Sequence, residues 1–270
     1  MRFLIVNSSY IYLTTKHLYA SMKTMLSAAK LYAGLCLLMI SILACEKNVE
    51  NEEPLSGFGD IAYVAKASVP AAKALSARSI DTSTTVDVAW SSATVYVEKI
   101  SFAGRGNSDL DTTISIEKNL DILSAGALAG IIQLPSGSYR NVEIKLLCRK
   151  SQKSDLAFRF RGTFRNSYGG TDSVLVGSSF PFEANLDLSE IMVKPSDNYL
   201  ATFNFDLDKV LTGISTRMLE STRSYIGKDG KRSYAIFKGG SQDEPFYDQV
   251  IANWQTVASV VLSKADAGTH

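Results

Sequence analysis

Apolar residues fall at every second position through much of the chain. Between 156 and 165, Leu156, Phe158, Phe160, Gly162 and Phe164 alternate with Ala157, Arg159, Arg161, Thr163 and Arg165. Side chains alternate across a strand, so one set faces a core and the arginines face away from it. The preceding run repeats the logic, with Val142, Ile144, Leu146 and Cys148 inward and Glu143, Lys145 and Arg149 outward. The polar stretch KSQKSD at 150–155 predicts a hairpin loop joining these two strands. Ala201, Phe203, Phe205 and Leu207 alternate with Thr202, Asn204, Asp206 and Asp208. Shorter runs of strand character cover 60–67, 86–90, 94–102, 112–117, 173–177 and 180–187.

Turn signals punctuate these runs at Gly104-Arg105-Gly106-Asn107, Pro135-Ser136-Gly137-Ser138, Tyr168-Gly169-Gly170, Pro195-Ser196-Asp197-Asn198 and Lys228-Asp229-Gly230. Many short strands at such spacing predict an all-β domain over 57–264. The expected architecture is a single antiparallel β-sandwich with Ig- or transthyretin-like layering. One short helix is expected near the end, where Phe246, Tyr247, Val250, Ile251 and Trp254 follow Pro245 at helical spacing. VASVVLSK at 257–264 then reads as a closing strand, and 265–270 as a disordered tail. The Ala- and Ser-rich residues 67–85 fit a long loop or a short helix, and no repeat of fixed period is present.

The N-terminus follows different rules. Residues 1–44 contain Arg2, Lys16, Lys23 and Lys30 and no acid, and an apolar run extends from Leu31 to Ala44. As a helix, that run would span about 21 Å, short of the roughly 30 Å hydrocarbon core of a bilayer. A cationic stretch, a short apolar run and a small residue before the cut describe a signal peptide over 1–44. A start at Met22 or Met25 would give an n-region of ordinary length. The residues Ile42-Leu43-Ala44-Cys45 resemble the lipobox of bacterial lipoproteins. That resemblance implies acylation of Cys45 and cleavage before it, with palmitate-type chains as the anchor. A plain signal peptide or an anchor helix that happens to contain a cysteine is the simpler alternative. The acidic, aperiodic residues 45–56 read as a tether between lipid and domain.

Composition adds little until this segment is set aside. The whole chain carries +1 formally, with 46% hydrophobic residues. Removing 44 residues and their four cations from 270 leaves 226, with 24 Lys and Arg against 27 Asp and Glu, formally −3. No basic footprint for nucleic acid remains. Of three cysteines, Cys36 leaves with the signal and Cys45 is lipidated, so Cys148 stands alone and no internal disulfide is expected. At an inward strand position it reads as a small hydrophobe. His17 and His270 are the two histidines, one in the signal and one at the last residue. Histidine-based nucleophilic catalysis and zinc sites therefore lack their usual side chains. No P-loop or GxGxxG is present. The expectation is no catalytic residue, no metal and no cofactor.

Three features retain chemistry. Asp109/Asp111 and Asp206/Asp208 each place two acids on one face of an extended segment. They would suit glycoside hydrolysis or calcium, but a solvated strand face is the simpler reading, and Asp208 fits a helix N-cap. Trp90 and Trp254 could stack on sugars, with core packing as the simpler reading. Lys145, Arg149, Arg159, Arg161 and Arg165 would share the outer face of the expected hairpin, opposed only by Glu143. Such a stripe is a candidate anionic-ligand face, since guanidinium groups bind carboxylate and phosphate bidentately. A solvated edge guarded against aggregation is the alternative.

VYVEKISF, DIL, LPSGSYRNVEIKL and FNFDLDKVLTGI follow one another between residues 86 and 214. In that order they resemble uncharacterised bacterial cell-envelope lipoproteins with a single β-sandwich domain, catalogued only as a domain of unknown function. The resemblance implies the fold and an outer-membrane address, periplasmic or surface-exposed, and assigns no functional residue. The expected function is a non-enzymatic binding or assembly module held to the membrane by N-terminal acyl chains, with an acidic glycan or another envelope protein as partner. The alternatives are a fimbria-like or adhesin component that pairs strands with a partner edge, and a histidine-free carboxylate enzyme acting on glycans.

Overall fold

A computed structural model describes residues 56–68, 84–107, 109–227, 230–237 and 246–265. The segment expected to be a signal peptide, Cys45 and nearly all of the expected tether lie outside these residues, as do most of 67–85 and residues 266–270. The described residues form an all-β sandwich. Four strands make the smaller sheet, in the order β12 (Ala258–Lys264), β9 (Asn198–Phe205), β1 (Phe58–Ala67) and β4 (Ala127–Pro135). The larger sheet is organised around one 18-residue strand, β2 (Val88–Arg105). On one edge β2 pairs with β3 (Leu110–Asp121). Its other edge takes β5 (Gly137–Cys148) and β6 (Phe158–Arg165) in succession. Beyond β5 lies β8 (Phe182–Val193), and beyond β6 lie β7 (Thr171–Ser178), β11 (Arg232–Phe237) and β10 (Ser224–Ile226).

Alternation locates the strands well, because each buries one face. The β6 residues Phe158, Phe160, Gly162 and Phe164 are buried while Arg159, Arg161 and Arg165 are exposed. Ile61, Tyr63 and Phe203 of the smaller sheet meet Ile100, Phe102 and Ile144 of the larger one in a single continuous core. Tyr63 stacks on Phe203 with ring centroids 5.8 Å apart, and its hydroxyl donates to the Ser101 carbonyl at 2.7 Å, tying the two sheets together. At the sides β12 lies beside β8 and β4 beside β3, so the edges of the smaller sheet approach those of the larger.

The β6–β7 half of the larger sheet is covered differently. A 3-10 turn at Leu207–Lys209, the short helix α1 (Thr216–Glu220) and α2 (Tyr247–Trp254) contribute Leu207, Leu219, Val250 and Trp254 to the same core. The late helix and closing strand thus occupy the expected places. Trp254 is fully buried among Phe158 (4.2 Å between ring centroids), Phe182 (4.8 Å), Phe160 (5.3 Å) and Phe205 (5.6 Å).

Three expectations need correction. The sheets are mixed rather than wholly antiparallel, because β1 runs parallel to β9 and β7 parallel to β11. Parallel neighbours require long crossovers, and here the chain passes through other strands between the two partners. Alternation along one strand carries no information about its neighbour's direction. Secondly, β5 and β6 do not pair as a hairpin. Val97 faces Cys148 and Val95 faces Phe158, so the two strands lie end to end along β2. Residues 149–157 form an excursion between them, held by Tyr96 N–H on the Ala157 carbonyl (2.8 Å) and by Ser151 Oγ donating to Tyr96 Oη (2.7 Å). Thirdly, Asp206 rather than Asp208 occupies the cap position of the 3-10 turn, without a side-chain capping bond.

Candidate functional site

The end-to-end placement of β5 and β6 divides the five-cation stripe. Lys145 faces Ser101 on β2 and Arg159 faces Thr94. Seven steps along β2 part those positions, about 23 Å at a rise near 3.3 Å. Lys145 and Arg149 are also neutralised. Lys145 Nζ sits 2.7 Å from Glu143 and 3.4 Å from Glu183. Its pKa rises above the usual lysine value, chiefly through the hydrogen bond to Glu143. Arg149 pairs with Glu98 at 2.6 Å. Glu98 is the extra residue of a β-bulge between Val97 and Lys99, and the bulge aims its carboxylate at Arg149.

Arg159, Arg161 and Arg165 remain together on the outer row of β6 and are all exposed. Positions two apart on a strand are separated by about 6.6 Å, so Arg159 and Arg161 are adjacent and Thr163 intervenes before Arg165. Their paired cross-strand neighbours carry no charge, and the exposed Asp87 lies one residue beyond the Val88–Phe164 pair, at the register position across from Arg165. Thr94 and Gly177 flank Arg159, Ser92 and Leu175 flank Arg161, and Thr171 lies beside Arg165. Among the described residues no carboxylate forms an ion pair with any of the three. Glu220, which reaches the β6–β7 turn, instead accepts from the N–H of Ser167 at 2.6 Å and from its hydroxyl.

The surroundings keep the face low. Ser173 and Ser233 continue one row toward β11, and Leu175 and Ala235 the next. A side chain at Gly177 would collide with the ring of Phe237, so the ring fills the place where a β-carbon would stand. The arginines therefore stand above a floor of hydroxyls, small aliphatic groups and one aromatic ring. Planar guanidinium groups on such a floor can take carboxylate, sulfate or phosphate oxygens bidentately. No local pattern announces this floor, because β11 is short and pairs with β7 across the 53 residues of chain between Ser178 and Arg232.

The other candidates lie elsewhere. Asp109 and Asp111 are exposed at the start of β3, and Asp206 and Asp208 follow the end of β9. Asp206 is within 3.4 Å of Lys209. Among the described residues no three His, Cys, Asp or Glu side chains gather as metal ligands would. Cys148 is fully buried, and desolvation pushes its thiol pKa well above the usual range. Trp254 is core, and Trp90 is half-buried with its ring edge-on to Phe160 at 6.0 Å. Comparison of the chain with family models, curated proteins and solved structures finds no match.

Proposed function

We propose that this chain is a non-enzymatic binding module of the bacterial cell envelope, anchored through an acylated Cys45 and taking an acidic glycan on the outer face of β6. The lipobox-like Ile42-Leu43-Ala44-Cys45 after a cationic, acid-free segment supports the anchor and the outer-membrane address. Several acyl chains, at about 0.8 kcal/mol per buried methylene, make such attachment effectively permanent. The observation that carries the ligand reading is the row of Arg159, Arg161 and Arg165, exposed and engaged in no ion pair among the described residues. With no ion pair engaging them, the three guanidinium groups keep their donors available for an anionic ligand.

The test is binding of polygalacturonate by calorimetry at low and high salt, comparing the native chain with Arg159→Ser/Arg161→Ser. A charge-assisted hydrogen bond contributes about 1.5–3 kcal/mol. Loss of two arginines should therefore weaken binding at least about tenfold at low salt, with a smaller difference at high salt. Unchanged affinity would remove β6 from the reading. Replacing Lys145 should have little effect, because Glu143 and Glu183 already engage it.

A further inference from the structure

The outer face of the smaller sheet is apolar where a solvated face would be polar. Register aligns Val261, Thr202, Val64 and Leu128 in one row, and Ser263, Leu200, Ala62 and Ile131 in the next. Val261 is 55% exposed, Ile131 50% and Leu128 44%. Phe58, also 55% exposed, stands opposite Pro135 where the chain enters β1. Four of the ten large hydrophobic side chains exposed among the described residues thus belong to one face of four strands. Asp60, Gln133 and Asn198 form a polar row between Phe58 and the main patch, and Lys66, Asn204 and Ser259 border its far side.

We infer that this face lies against the lipid surface, with Leu128, Ile131, Val261 and Phe58 entering the headgroup boundary. The inference rests on the anchor reading above and names the surface that the anchored domain meets. Eleven residues separate Cys45 from Gly57, which spans at most about 40 Å when fully extended. The chain enters the domain through β1, one of the two central strands of this sheet. The anchor is therefore tied to the apolar sheet and not to the one carrying the arginines. A second copy is the weaker occupant. Two apolar rows across four strands present roughly 200–300 Å² at a strand spacing near 4.8 Å, well below the roughly 800 Å² per partner of a stable interface. A chain already held at the bilayer needs only the shallow burial of a few aliphatic groups to favour one orientation.

The test uses the full chain reconstituted in vesicles of phosphatidylethanolamine and phosphatidylglycerol, with spin labels on Ile131→Cys or Val261→Cys and Ser173→Cys on the arginine face as reference. Cys148 is fully buried and stays unlabelled in the folded chain. The expected result is a several-fold rise in oxygen collision relative to a water-soluble nickel chelate at 131 and 261, with none at 173. Mass spectrometry of the N-terminal peptide reports separately on Cys45. Acylated protein whose labels at 131 and 261 stay open to the chelate overturns the orientation and leaves the anchor standing. An unmodified Cys45 defeats the anchor reading; its thiol then also takes label, and the same two sites labelled in a Cys45→Ser chain decide whether the face meets lipid. Labels already shielded without vesicles assign the face to protein and overturn the inference.

Discussion

Trp254→Ala should be the most damaging single truncation among the described residues. The indole is the last residue of α2, fully buried, and contacts Phe158 and Phe160 of β6, Phe182 of β8 and Phe205 of β9. It thereby joins the helical cover to both sheets. Truncating a buried tryptophan typically costs about 3–5 kcal/mol, from lost transfer free energy plus the cavity left behind. The upper part of that range is expected, because four phenylalanines on three strands cannot all close on one void. Domains of ordinary stability have about 5–15 kcal/mol in total, so the variant should unfold at much lower urea. A second variant isolates the cause. Trp254 Nε1 has no hydrogen-bond partner among the described residues, so Trp254→Phe sacrifices no such bond and should cost less than about 2 kcal/mol. The assay is equilibrium urea unfolding followed by far-UV circular dichroism, comparing midpoints at constant slope. A loss below about 1 kcal/mol for Trp254→Ala would refute the placement of the indole at the junction of sheets and helix.

Two further outcomes follow from buried groups. Desolvation raises the Cys148 and Tyr63 pKa values in the folded protein, so both groups hold their protons when the unfolded chain releases them. Stability should be full below about pH 8.5, the ordinary thiol value, and fall as pH rises, by up to about 1.4 kcal/mol per pH unit for each proton; Cys148→Ala should flatten the first part of that slope in urea titrations. A β-carbon at Gly130 would stand 2.7 Å from Ile116 Cδ1 and 3.0 Å from Ile100 Cδ1. Gly130→Ala should therefore lower stability by about 1–3 kcal/mol, and Ile116→Val in the same chain should restore part of it in the thermal midpoint.

The strands legible in the sequence were those with uninterrupted alternation and one solvated face, such as β5, β6 and β9. The strand at β4 was missed because Ala129 is an extra residue opposite Tyr63 and Val64, which places Leu128 and Ile131 outward out of step with period two. Runs read as separate at 86–90 and 94–102 are one strand, whose bulges beside Trp90 and Val97 break the same rule. β10 and β11 are short and sit among polar residues, so their alternation spans too few positions to register.

The candidate face shows the same division. Alternation correctly assigned Arg159, Arg161 and Arg165 to one exposed row, because side-chain direction on a strand is a local property. Their separation from Lys145 and Arg149 depended on β5 and β6 sharing one edge of β2, which no local pattern encodes. The pairing of Lys145 with Glu183 and of Arg149 with Glu98 depended on strands distant in sequence. By itself the amino-acid sequence determined the all-β character, the inward and outward faces and the late helix, since these follow from periodicity and turn chemistry within about ten residues. Only the tertiary structure decided which strands are neighbours, which run parallel, which arginines go without an ion pair among the described residues and which sheet bears an apolar outer face. Those outcomes are set by long-range packing around one long, bulged strand.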